Sequence, residues 1–105
     1  MKFGWTAPAL LLLAAAVPAH AQGQQALYAR TLAASCAACH GTDGRVVGGA
    51  GVPSLAGQPR EVLANQLRLF RDGRRYSTIM GQLSKGFSDA RIDELAGYFS
   101  SQKPQ

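Results

Sequence analysis

The sequence predicts an all-α fold of about four helices with one long glycine-rich loop. Three observations lead there. Apolar residues recur at helical spacing in the stretches 24–38, 59–71 and 88–100. No stretch alternates apolar and polar residues with the period of two that a half-buried strand requires. Between positions 41 and 57 the chain places six glycines and Pro53, which leaves little room for regular structure.

Taken in order, residues 24–38 are good helix formers, with Leu27, Thr31, Ala34 and Ala38 along one face. Pro59 begins a second helix in its first turn, where a missing N–H does no harm. Val62, Leu63, Gln66, Leu67 and Phe70 follow at helical spacing, and Asp72-Gly73 ends the element. A short third helix is expected over 78–84, closed by Gly86. Ser88 then supplies an N-cap, with Asp89 well placed against the helix dipole. Ile92, Leu95, Ala96 and Phe99 complete an amphipathic final helix. Gly97 inside it costs about 1 kcal/mol relative to alanine, so a close crossing with the first helix is the expected reason for it. Tyr28, Tyr98 and Phe99 are expected as core aromatics.

Length and composition narrow the function. A chain of 105 residues allows one domain and excludes a barrel, a two-domain dinucleotide enzyme or a repeat array. Two cysteines cannot build a disulfide framework or a four-cysteine zinc site. The net charge is +5, but no nucleic-acid-binding motif accompanies it. Lys2 precedes the apolar run Leu10 to Val17, Pro18 breaks any helix, and Ala19-His20-Ala21 fits a small-x-small cleavage pattern. Residues 1–21 therefore read as a secretory signal peptide, which implies a periplasmic location, no membrane span after cleavage and no nucleic-acid partner. The remaining domain, 22–105, has 84 residues and a charge of +4. So small and alanine-rich a domain needs a buried staple of some kind.

Cys36-Ala37-Ala38-Cys39-His40 supplies one. The pattern C-x-x-C-H reads as covalent attachment of a c-type haem: two thiols three residues apart reach the two vinyl groups, and the adjacent histidine stands over the iron. A thioredoxin-like pair would need a βαβ setting, which is missing. Zinc would need four ligands, and after signal removal only three N/S donors remain here. A disulfide between such close neighbours would constrain little of the unfolded chain.

The other face of the iron decides between two kinds of chemistry. Left open, it suits catalysis or gas binding; occupied, it suits electron transfer. Met80 is the one methionine of the domain, in Tyr76-Ser77-Thr78-Ile79-Met80-Gly81. A lone methionine is commonly core filler. Here the domain offers no other histidine or methionine, and Met80 lies well after the haem motif between glycine-containing turns. A thioether there would favour reduced iron and raise the potential.

Three segments resemble class I bacterial cytochromes c: Ser35 to Gly44, Pro53-Ser54-Leu55-Ala56-Gly57-Gln58, and Ala96-Gly97-Tyr98-Phe99-Ser100-Ser101-Gln102. The chain looks like one half of the dihaem members, without a second C-x-x-C-H. Ser77 to Ser88 is similar to the cytochrome subunit of flavocytochrome c sulfide dehydrogenase. The resemblance implies the class I fold around one covalent haem c, with iron ligated by His40 and Met80. It also implies that the carbonyl of Pro53 accepts the imidazole N–H and so orients the ring.

The expected function is one-electron transfer with a redox protein, either as the cytochrome subunit or partner of an FAD-containing sulfide dehydrogenase or as a free soluble shuttle. Catalysis of its own is not expected; a haem sensor or peroxidase would require Met80 to be off the iron. Arg68, Arg71, Arg74 and Arg75 form either a solvated helix end or a positive patch for an acidic partner or a haem propionate.

Overall fold

Among the described residues, helix-forming periodicity is realised in five α-helices: α1 (Val17–Ala34), α2 (Ala37–His40), α3 (Arg60–Arg71), α4 (Thr78–Lys85) and α5 (Asp89–Ser100). A 3-10 turn over Thr42–Gly44 follows α2, and no strand occurs among the described residues. The computed structural model describes residues 1–4, 17–48 and 51–104. Most of the apolar run of the expected signal peptide lies outside the described residues.

The expected first helix is divided. Ser35 turns its hydroxyl back to the Leu32 carbonyl at 2.8 Å, and the Cys36 N–H bonds the Ala33 carbonyl at 3.0 Å. These short-range bonds compete with helix continuation and set the haem motif on its own turn, α2. Pro18 lies within α1 rather than breaking a helix as expected.

The predicted buried face of α1 is also corrected. Leu27 is 65% exposed, and Thr31, Ala34 and Ala38 are exposed as well. Ala33 is the buried position, with Leu32 and Cys36 packed beside it. The helix is alanine-rich and its apolar residues are spread around the axis, so docking against α5 chooses the face. Tyr28 leaves the core for the same reason, with the Arg91 guanidinium 4.3 Å over its ring. Phe99 is buried, and Tyr98 is half-buried and meets it edge-to-face at 5.3 Å.

The later helices follow their local signals. Pro59 caps α3 from just outside it rather than occupying its first turn. The Ser77 hydroxyl accepts the Met80 N–H at 3.2 Å at the start of α4, and Ser88 accepts the Arg91 N–H at 3.2 Å at the start of α5. α3 packs against both α4 and α5, and α1 lies on α5. Ala33, Leu63, Ala64, Ile92, Leu95, Ala96 and Phe99 form the core cluster, which is small for a protein of this length.

Two long arginines fasten α3 to α5. Arg68 reaches Asp93 at 2.8 Å and Asp89 at 3.4 Å; Arg71 reaches Asp89 at 2.8 Å and Asp72 at 3.1 Å. Gly97 does not mark a crossing with α1. A Cβ there would meet the Arg60 guanidinium at 3.7 Å, so the space above Gly97 holds a side chain from α3.

Candidate functional site

The site begins in the turn that follows the haem motif. Gly41 has φ +79, and a Cβ there would lie 1.8 Å from the Arg45 carbonyl oxygen. Only glycine fits so tight a return. Gly44, at φ +78, uses its carbonyl as a hub: it accepts the Leu55 N–H at 2.8 Å, the Ala56 N–H at 3.2 Å and the Ser54 hydroxyl at 2.8 Å. Those three bonds fold residues 53–56 back over α2.

As a result, the Pro53 carbonyl oxygen reaches His40 Nδ1 at 2.8 Å. Pro53 has no N–H and itself is exposed, whereas His40 is only 8% exposed. The bond assigns the proton to Nδ1 and leaves Nε2 with no hydrogen bond among the described residues. Cys36 and Cys39 stand on the same turn with free thiols, Cys36 half-buried and Cys39 exposed. Burial pushes the Cys36 thiol up from its ordinary range, and its contact with Ser35 offsets part of that.

Four of the five predicted site residues, Cys36, Cys39, His40 and Pro53, are thus gathered at one place. Met80 comes from a separate element, half-buried on α4, whose main packing is against α3. Around Met80, Ile79 is 63% exposed and Leu83 is exposed one turn further on, so this face of α4 presents apolar surface. Val47, in the loop after α2, is exposed too.

The donor set and its surroundings fit a haem. Two free thiols, an imidazole with one nitrogen held and the other unengaged, and a thioether suit covalent attachment and axial ligation. The exposed Ile79, Leu83 and Val47 are the kind of surface a porphyrin covers.

Sequence reasoning missed the brace behind the turn. Asp43 is the one non-glycine residue with positive φ among the described residues, at +53. Its carboxylate accepts the Tyr98 hydroxyl of α5 and pairs with Arg45 at 3.6 Å. Burial, then that bond to Asp43, pushes the Tyr98 phenol up from its ordinary value. Arg45 also donates to the Lys103 carbonyl at 2.7 Å, so it ties the loop to the C-terminal segment. The one available signal was Thr42-Asp43-Gly44, a turn sequence in which Asp tolerates the left-handed conformation.

Residues 20–99 match the family model described as cytochrome C oxidase, cbb3-type, subunit III. A thiosulfate dehydrogenase electron acceptor from Thiomonas intermedia is 49% identical over 72 residues, covering 69% of this chain and 33% of the relative. The cytochrome subunit of sulfide dehydrogenase from Chlorobaculum tepidum is 40% identical over 70 residues, covering 67% of this chain and 62% of the relative. Cytochrome c-554(548) from Halomonas halodenitrificans is 40% identical over 72 residues, covering 66% of this chain and 86% of the relative. The chain therefore spans a third of the first of these relatives and less than two thirds of the second. The solved structure of Acidithiobacillus ferrooxidans cytochrome c4 superposes with a TM-score of 0.67 at 31% identity, covering 73% of this chain and 49% of that one.

Proposed function

The chain belongs to the cytochrome c family, and we propose that it is a periplasmic one-electron acceptor for a dehydrogenase that oxidises a sulfur compound. Family membership makes its cofactor covalent haem c and its work electron transport. Among the described residues no helix is long and apolar enough to cross a membrane. In this reading residues 1–21 are the export signal and 22–105 the working domain.

The observation that carries the proposal is the held imidazole, His40 Nδ1 on the Pro53 carbonyl at 2.8 Å with Nε2 unengaged. Haem iron, when bound, supplies a reversible one-electron change. Cys36 and Cys39 would hold the porphyrin through thioethers, and His40 Nε2 would be a donor to its iron. The bond to Pro53 fixes the ring's rotation and makes it a stronger donor. Met80 would supply a second donor, a neutral thioether that favours the reduced state and would close the iron to outside ligands.

Two features favour a sulfur-oxidising donor. The stretch 77–88 is similar to the cytochrome subunit of sulfide dehydrogenase, and the 49% identical relative carries the name of an electron acceptor for thiosulfate dehydrogenase. An FAD-containing sulfide dehydrogenase subunit is the partner proposed first. Stopped-flow reduction of the haem-loaded chain by that flavoprotein with sulfide, and by a thiosulfate dehydrogenase with thiosulfate, tests the choice. Fast reduction in one pairing is expected. Failure of both leaves the free shuttle.

Met80→Ala tests the ligation. Haem should survive denaturing electrophoresis in parent and variant. The variant should lose the thioether-to-iron absorption band, drop in potential and bind imidazole. An unchanged spectrum and potential would refute Met80 as ligand and reopen the sensor or peroxidase reading.

A further inference from the structure

Helix α1 runs without interruption through the expected cleavage point, from Val17 to Ala34. A cut after Ala21 therefore leaves Gln22 as the first residue of an open helix end, followed by Gly23, Gln24 and Gln25. Residues 21–25 are all exposed, and a Cβ at Gly23 would meet nothing within 4 Å, so nothing crowds the new terminus. One turn further on the helix is engaged, where the Gln25 carboxamide donates to Glu94 of α5 at 2.7 Å.

A free α-ammonium at Gln22 would stand at the positive end of the helix dipole, among N–H groups that have no intrahelical acceptor. None of residues 22–25 is acidic. Glu94, the carboxylate that meets this end of α1, has one oxygen on Gln25 and the other on Arg91 at 3.4 Å. The cation is thus disfavoured at this end, and the neutral amine, which is the nucleophile, is favoured correspondingly.

We propose that Gln22, once it becomes the amino terminus, closes on itself to pyroglutamate. The neutral α-amine nitrogen attacks its own side-chain carbonyl carbon, Cδ. A C–N bond forms, the bond from Cδ to Nε2 breaks, and a proton of the amine leaves with that nitrogen as ammonia. No oxidant, reductant or second substrate is consumed, and the product is a five-membered lactam. Ring closure fixes the N–Cα torsion as proline does, which the first residue of a helix tolerates. It also removes the unfavourable terminal charge, together with the free amine that aminopeptidases require. Gln24 and Gln25 cannot follow this course, because their backbone nitrogens are in peptide bonds. The proposal rests on the reading of residues 1–21 as an export signal, and is independent of the redox partner.

The test exports the full chain through its own leader in a host that attaches haem c, and purifies the holoprotein from the periplasm. Its intact mass should equal that of haem-loaded 22–105 less about 17 Da, one ammonia. Edman degradation should find a blocked end, and pyroglutamyl aminopeptidase should open it to read Gly23-Gln24-Gln25. Gln22→Ala should be cut at the same bond, show no loss of ammonia and read alanine first. A chain that begins at Gln22 and still reads it directly after prolonged warming at mildly alkaline pH would overturn the cyclisation and leave the cleavage intact. A chain beginning at any other residue would overturn the cut site and the proposal with it. A blocked end that resists the enzyme, or the same mass loss in Gln22→Ala, would place the modification elsewhere and overturn the proposal as well.

Discussion

His40 Nδ1 and the Pro53 carbonyl oxygen lie 2.8 Å apart across a sequence separation of 13 residues. The acceptor is a backbone atom, so no side-chain change deletes it, but the ring of Pro53 holds the loop that presents it. Pro53→Gly should loosen the bond, weaken donation from the imidazole and raise the reduction potential by a few tens of millivolts, less than a tenfold shift in the one-electron equilibrium. Potentiometric titration checks it. No change in potential would separate Pro53 from the tuning of His40.

The Ser77 hydroxyl holds the Met80 N–H at 3.2 Å, and in doing so starts the helix that carries the proposed ligand. Ser77→Ala should lower stability by about 1 kcal/mol, the ordinary loss for an N-cap. If Met80 is on the iron, the same variant should also bind added imidazole more readily at low denaturant. Chemical denaturation with parallel absorption spectra reads both effects.

Asp89 receives Arg71 and Arg68, and their hydrogen bonds and charges, Arg71 foremost, hold its carboxyl below the usual carboxylate range. A lowered pKa means the stabilisation is present above the ordinary value and is lost as pH falls through the lowered one. The parent should therefore exceed Asp89→Asn in urea midpoint near pH 6, and the gap should close below about pH 3. Because the carboxylate is exposed, about 1 M salt should narrow the gap at neutral pH.

Gly41 follows His40, the proposed iron donor, and its missing Cβ leaves the space taken by the Arg45 carbonyl. Gly41→Ala should cost more than about 2 kcal/mol, combining a left-handed backbone with a clash against main chain. The melting temperature of the holoprotein should fall by at least several degrees. A neutral result would mean the turn is not built as described.

Gly97 gives the opposite expectation. An added Cβ meets only the Arg60 guanidinium, at an ordinary 3.7 Å, and φ is helical. Gly97→Ala should stabilise by up to about 1 kcal/mol through helix propensity. Destabilisation would mean that α1, which also packs on α5, needs the glycine for close approach.

Local signals were legible wherever the cause is local. Ser88 capping α5, Asp72-Gly73 closing α3 and the turns at Gly41, Gly44 and Gly57 are decided within a turn of the residue concerned, and these are found where expected. The misplaced face of α1 and the exposed Tyr28 share one cause. An alanine-rich helix carries no strong apolar stripe, so only the partner helix selects the buried side. The division of the arginines was equally hidden, since Arg68 and Arg71 meet carboxylates 18 to 25 residues away.

The sequence by itself determined which donors the chain has to offer. Cys36, Cys39 and His40 are three positions in a row of five, and Met80 is the single thioether after residue 21, so chemistry and count were readable without coordinates. Only the tertiary structure decided how those donors are held. The Gly44 carbonyl hub, the Asp43–Tyr98 brace and the bond from His40 to Pro53 each join segments that are distant in sequence. The same holds for Arg68 and Arg71, because which cations are neutralised depends on where the chain returns with its few carboxylates. Periodicity and spacing are properties of neighbours along the chain, whereas burial and ion pairing are properties of neighbours in space.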